Sequence, residues 1–262
     1  MYSEEHKIFL KKYKKNKTII RLVQISIIIT FIILWQILAN YNLINTFIFS
    51  SPQKVIECII NLHQQGNLYN HILITIWETI LSFGIGTILG LIIATIMWWK
   101  PFIAKVIDPY LTILNSLPKV ALGPIIIIWA GAGIKAIILM ALLISVIITV
   151  INVYQGFNET DSNKIKLMKS FKATKKQIYF KLILPSNKPT IINALKINIS
   201  MSLIGVIMGE FLISKEGIGY LIMYGSQVFN LNLVISGIII LAIVATFMYY
   251  IIYFIEKKIV KE

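Results

Sequence analysis

Charge is what this chain has least of. Only 14% of its 262 residues are Asp, Glu, Lys or Arg, 57% are hydrophobic, and the mean hydropathy is +0.80. An ordinary soluble domain carries about 25% charge, so a water-facing globule is excluded. Cysteine occurs once, at Cys58, which rules out an intrachain disulfide. The three histidines, His6, His63 and His71, have no metal-ligand spacing. No G-x-x-x-x-G-K-[ST] segment occurs, nor any Gly-Lys pair, so the chain does not cradle nucleotide phosphates by the usual loop. Acid is scarcer than base: 11 Asp and Glu face 25 Lys and Arg, for a formal net charge of +14. In a soluble protein that excess points to nucleic acid; here its distribution decides its meaning.

What the chain does have is long apolar runs. A bilayer core of about 30 Å needs about 20 helical residues, and six spans satisfy this, over residues 19–40, 72–98, 104–130, 134–154, 190–213 and 231–255. The fold class is an all-α polytopic membrane protein. Basic residues crowd into the N-terminal stretch (Lys7 to Arg21), the segment 164–188, the pair Lys100 and Lys105, and the tail (Lys257, Lys258, Lys261), whereas the alternate loops hold only Lys54, Lys135 and Lys215. The positive-inside rule then places residues 1–18, the loop 155–189 and the tail 256–262 in the cytoplasm of a multi-pass protein of the plasma (inner) membrane. This leaves the lysines no need of a nucleic acid. The apolar run 19–39 is too long for a signal-peptide core and no A-x-A site follows, so it reads as an uncleaved first span.

Within the spans, Ser82, Gly86, Gly90 and Ala94 recur every four residues, and Gly205 and Gly209 repeat the spacing. Small residues one turn apart let helix backbones approach closely, either inside one bundle or at a dimer face. The third span contains Pro109, Pro118 and Pro124, with Lys119 beside the middle one. Broken backbone at membrane depth survives only against protein or a water-filled cavity, so Pro118, Lys119 and Pro124 are candidate walls of a translocation pathway, with a kinked structural helix as the alternative. Lys119 is the residue suited to attract an anionic solute. Glu210, an intramembrane acid, is expected to pair with Lys119 or to face an outer partner, and it joins the pathway candidates. Trp77, Trp98, Trp99 and Trp129 lie near span ends, as an interfacial belt would place them. In the outer segment 41–71, Ser51 and Pro52 open an amphipathic helix that fits along the membrane surface.

The loop 155–189 is too long for a mere connection. Phe171, Ile178, Phe180, Leu182 and Ile183 recur among its lysines in a partly helical pattern, Asn158 with Glu159 or Asp161 opens a first helix, and Pro185 and Pro189 stop a second. A cytoplasmic helical hairpin follows, cationic on one side and apolar on the other. It fits an anchor to anionic lipid, a topology signal, or a docking knob for a soluble partner; topology alone needs no apolar stripe.

The same segment resembles the cytoplasmic E-A-A loop of binding-protein-dependent permeases, the membrane subunits of ABC importers, whose pattern is E-A-A, three residues, G, nine residues, I-x-L-P. Setting its end on Leu182, Ile183, Leu184 and Pro185 brings the glycine onto Lys172 and E-A-A onto Lys166, Leu167 and Met168. Ala173, Thr174, Pro185 and Pro189 sit where the nitrate, sulfonate, taurine and thiamine-precursor branch has G-A-S/T and L-P-x3-P. FSSPQKV, NSLPKVALGPIIIIWAGAGIK and GVIMGEFLISKEGIGYLI are similar to further segments of that branch, in the right order along nearly the whole chain.

This resemblance implies the type I ABC importer permease fold and a second permease subunit, as a homodimer. It also implies a separate ABC ATPase that holds ATP and Mg while this chain binds no cofactor and is no enzyme, and an extracytoplasmic solute-binding protein. The ATPase-coupling residues it implies are Lys166, Lys169, Phe171, Lys172, Ala173, Thr174, Leu184, Pro185 and Pro189, with an acidic rim on the ATPase facing Lys166, Lys169, Lys172 and Lys175. The implied cargo is a small solute such as nitrate, a sulfonate, taurine or a thiamine or flavin precursor. A lysine where the pattern has glycine costs about 1–2 kcal/mol if the site is left-handed, so a turn built otherwise is expected at Lys172. The rival readings are a passive channel or secondary transporter with a lipid-binding loop, and a scaffold that recruits a partner through its lysines.

Overall fold

The computed structural model describes the backbone of residues 4–259, and every regular element among them is helical. The first helix, α1 (Glu4–Asn40), contains no glycine or proline, so the basic stretch and the first span form one continuous rod instead of a separate tail and span. A single turn, α2 (Thr46–Phe49), and the surface helix α3 (Pro52–Gln64) follow; Ser51 caps α3 by accepting the Lys54 N–H, with Pro52 in the first turn. Then come the long α4 (Leu68–Trp99), the broken pair α5 (Pro101–Ser116) and α6 (Gly123–Ala130), and α7 (Ile134–Asn158). A hairpin of α8 (Ser162–Ser170), α9 (Lys175–Ile178) and α10 (Leu184–Ser186) leads into α11 (Lys188–Ile213), the short α12 (Ile218–Gln227) and α13 (Leu231–Ile259).

Five of these helices are long and apolar enough to cross a membrane, and α5 with α6 makes a sixth crossing only as a pair bent by 93°. The expected straight span 104–130 is therefore a break. Leu117 is extended (φ −65°, ψ 140°) because the ring of Pro118 clashes with a helical residue before it. Pro124 sits in the first turn of α6, where a missing N–H costs nothing.

The bundle is built around α7, which packs between α4 and α11. Lipid tails are as apolar as leucine, so close backbone approach is what holds these helices together, and the small-residue stripes supply it. Gly86 and Gly90 of α4 face Ser145 and Thr149 of α7, and Gly205 and Gly209 of α11 face Ala141 and Ile137. The stripes thus serve packing within one chain. By contrast α1 is almost wholly exposed, with 6% of its most apolar stretch buried against 56% for α7.

Candidate functional site

The hairpin is specified residue by residue. Asp161 caps α8 by accepting the Asn163 N–H at 2.8 Å. At the other end of α8 the Lys172 N–H reaches the Lys169 carbonyl (2.8 Å) and the Ala173 N–H reaches the Met168 carbonyl (3.0 Å), the paired bonds of a Schellman turn. Lys172 occupies its left-handed position with φ +57°. The turn is thus of the kind that favours glycine, and the chain tolerates the strain of a side chain there. Thr174 and Gln177 then start the return helix with a capping box: the Thr174 hydroxyl accepts the Gln177 N–H (3.3 Å) and the side-chain Oε1 of Gln177 accepts the Thr174 N–H (2.7 Å).

A first prediction follows from the turn. Lys172→Gly should stabilise the hairpin by about 1 kcal/mol, the left-handed penalty less the extra freedom glycine gives the unfolded chain, read as slower amide exchange across 162–178.

Pro185 does not stop the return helix, as the sequence pattern predicts, but is carried inside it. The turn before it, Tyr179–Ile183, widens to a π-helix in which the Leu184 N–H bonds the Tyr179 carbonyl. A widened turn eases the clash of a proline ring with the preceding carbonyls. The chain turns at Asn187, whose side chain donates to Thr160 Oγ1 (2.7 Å) and to the Ile183 carbonyl (2.8 Å), and Pro189 falls in the first turn of α11.

The hairpin has two faces. Outward, Phe171 (75% exposed) and Leu167 (57%) form an apolar knob beside exposed Lys166, Lys169 and Lys172. Inward, Ile178, Tyr179 and Ile183 are buried against Ala94, Val153, Phe157 and Ala194, with Ala173 and Leu184 packed at the edge of that cluster. Trp98 and Trp99 belong to this cluster rather than to an interfacial belt alone, while Trp129 is 82% exposed.

The pathway candidates do not come together. Lys119 lies at the 93° bend and spends its ammonium on the Asn115 carbonyl of its own segment (2.7 Å). Glu210 is 1% exposed. It accepts the Thr75 hydroxyl (2.6 Å) and the Gly219 N–H (2.5 Å), so the expected Glu210–Lys119 pairing is not made. Thr75 Oγ1 also accepts the Ile218 N–H (2.8 Å), and His71 Nδ1 accepts the Gly217 N–H (2.9 Å). Three successive amides at the start of α12, which have no partner within their own helix, are thus clasped by side chains from α4 and α11. A Cβ on Gly217 or Gly219 would run into the Glu210 carboxyl. Glu78, one turn beyond Thr75 and 4% exposed, is buried beside Glu210.

Beside the clasp, one cavity of about 790 Å³ is lined by Lys54, Asn70, His71, Glu216, Tyr220 and Asn230. A second, of about 920 Å³, is lined by Trp77, Glu78, Gly133, Ile137, Lys215 and Glu216. Neither includes Lys119 or Glu210. The signal that sequence reading missed is a polar stripe in an otherwise apolar helix: His71, Thr75, Glu78 and Ser82 recur every three or four residues along one face of α4.

Two transport permeases are similar over most of the chain. The putative aliphatic sulfonates transport permease protein SsuC of Bacillus subtilis is 26% identical over 88% of this chain and 83% of its own length. The formylaminopyrimidine transport permease protein ThiX of Halalkalibacterium halodurans is 26% identical over 72% of this chain and 74% of its own. Among solved structures, an inward-facing conformation of the MetNI methionine ABC transporter superposes with a TM-score of 0.63 at 20% identity, covering 74% of this chain and 94% of that one. Residues 86–261 match the family described as binding-protein-dependent transport system inner membrane component. That match spans the break, α7, the hairpin and α11 to α13, which displaces the channel and scaffold readings. The chain belongs to this family of ABC transporter permeases and has its type I fold.

Proposed function

We propose that this chain moves a small polar solute inward across the plasma membrane as one half of a permease homodimer, driven by a separate ATPase that grips the hairpin 159–187. In this reading the hairpin and both termini face the cytoplasm, ATP and Mg bind the ATPase, and a solute-binding protein delivers cargo to the opposite end, where the clasp and the two cavities lie. The observation that carries it is the hairpin's outer face. Phe171 and Leu167 stand exposed among Lys166, Lys169 and Lys172 on a rigidly capped turn whose root is buried in the bundle. An apolar knob with a charged rim is the form a protein partner buries, and the lysines call for an acidic rim opposite them. The sulfonate and formylaminopyrimidine relatives stand at the same 26% identity, so they support a small polar cargo without choosing between the two.

The test is the assembled transporter, permease with ATPase and binding protein in vesicles, carrying Lys169→Glu and Lys172→Glu. Repulsion from an acidic rim should lower solute uptake and binding-protein-stimulated ATP hydrolysis at least about tenfold, since like charges brought together in a contact cost on the order of 1–2 kcal/mol or more. Unchanged uptake removes the hairpin from coupling.

A further inference from the structure

The hairpin continues directly into its sequence neighbours α7 and α11, but its tie to α4 is made by side chains alone, and those side chains are unusually well specified. Tyr179, at the first position of the π turn, is 6% exposed. Its ring has four aromatic neighbours, with centroids at 5.3 Å (Trp98), 5.5 Å (Trp99), 5.8 Å (Phe157) and 5.1 Å (Phe180). Its phenol oxygen lies 2.7 Å from Thr95 Oγ1. The Thr95 hydroxyl already donates to the Leu91 carbonyl at 2.7 Å, so the phenol is the donor in that bond. One turn earlier, the Lys175 ammonium donates to the carbonyl of Trp99 at 2.5 Å and stands 5.7 Å over the Trp98 ring. Trp99 is the last residue of α4, where helix carbonyls lack partners and the macrodipole favours a cation.

The far end of α4 carries His71 and Thr75, which clasp α12, and its His71 and Glu78 line the two cavities. At 1.5 Å per residue, 32 residues make α4 a rod of about 48 Å. A rod held at one end by the hairpin and at the other by the clasp transmits displacement between them, because packed helices shift as units.

We propose that Tyr179 and Lys175 are positioning residues that rivet the hairpin to the end of α4, so that a pull on the hairpin moves α4 and with it the opposite-end cavities. This rests on reading the hairpin as the ATPase-docking handle. It assigns to two side chains what the covalent connections to α7 and α11 do not supply. The Tyr179 hydroxyl and the Lys175 ammonium set the register of hairpin against α4, and the ring of Tyr179 carries the load.

The experiment compares Tyr179→Phe, Lys175→Met and the double variant with wild type in the reconstituted transporter. It measures ATPase binding to the permease, ATP hydrolysis, and solute taken up per ATP hydrolysed. A merely structural role lowers the yield of assembled complex but leaves the uptake-to-hydrolysis ratio of what assembles unchanged. The rivet predicts normal ATPase binding, a ratio lowered severalfold in each single variant, and a larger loss in the double. Tyr179→Leu, which removes the ring, should fall further still; if it does not assemble, the phenylalanine variant decides. An unchanged ratio in the double variant overturns the inference, as does loss of ATPase binding in Tyr179→Phe. The Lys169→Glu, Lys172→Glu chain is run alongside. If it retains uptake, the handle itself is refuted; if it loses uptake while the Tyr179 and Lys175 variants keep a normal ratio, only the rivet is.

Discussion

Gly209→Val in α11 is expected to destabilise the folded bundle strongly. A Cβ at Gly209 would lie 2.8 Å from the Cα of Ile137 and 3.0 Å from its Cγ2, and one at Gly205 would meet the Cα of Ala141. Backbone atoms cannot swing aside as a flexible side chain does, so α11 and α7 must separate along their contact. Overpacking a core costs about 1–3 kcal/mol when side chains yield; here none can, and about 3 kcal/mol or more per site is expected. The loss propagates because α7 is the helix on which both α4 and α11 rest. Ala141, with 0% exposure, and Ile137, with 2%, have no free volume to give. In detergent the melting temperature should drop by about 10 °C, and much of the protein should leave the monodisperse fraction. Gly84→Ala is the control. A Cβ there meets nothing within 4 Å, so it should melt at or slightly above wild type. Equal melting of Gly209→Val and Gly84→Ala would mean that the close approach of α7 and α11 is not what holds the chain together.

The contrast between these glycines marks how far sequence reading reaches. That Gly205 and Gly209 share a face follows from helical spacing alone, and so does the stripe of Ser82, Gly86, Gly90 and Ala94. Which helix they face does not, because Ala141 and Ile137 are equally small or apolar whichever way α7 is turned. Hydropathy marks the crossings for the same reason: burial in lipid needs only length and apolarity. It fails at residues 104–130, where an averaging window runs straight through the 93° turn and three prolines predict irregularity without its angle. The hairpin was more legible, since caps and turns are local: Asp161 opens α8 as its place in the sequence suggests, whereas the cap at Thr174 and the left-handed place at Lys172, equally local, emerge only in the structure. The clasp and the seam at Tyr179 are not local. Glu210 meets Thr75 across 135 residues and Tyr179 meets Thr95 across 84, and no spacing rule reaches that far. Lys119 and Glu210 made a plausible pair on charge alone, but the helices place each with another partner.

The second large effect is expected at Glu210. Its oxygens accept the Thr75 hydroxyl and the Gly219 N–H. Glutamine supplies one acceptor and turns a donor toward the other group, and alanine supplies neither. Thr75 can fall back on the His71 carbonyl, to which it already lies at 3.2 Å. The Gly219 N–H has no such alternative: it stands in the first turn of α12, before any carbonyl of that helix can reach it. A buried donor left unpaired costs about 1–3 kcal/mol, and the favourable placing of an acidic side chain at a helix N-terminus is lost with it. Glu210→Ala adds the cavity of the missing side chain, and about 3 kcal/mol in all is expected. The consequence should be local before it is global. Gly217, Ile218 and Gly219 are held by side chains alone, so their amides should exchange about 100-fold faster, as 3 kcal/mol corresponds to roughly two decades, while the α7 amides keep their protection. With the start of α12 loosened, the wall of the 790 Å³ cavity formed by Tyr220 and Tyr224 loses its anchor. Lys119→Ala should change neither exchange nor melting, since its ammonium is spent on Asn115. Protection at Gly219 surviving in Glu210→Ala would show that the clasp is held by something other than the carboxyl.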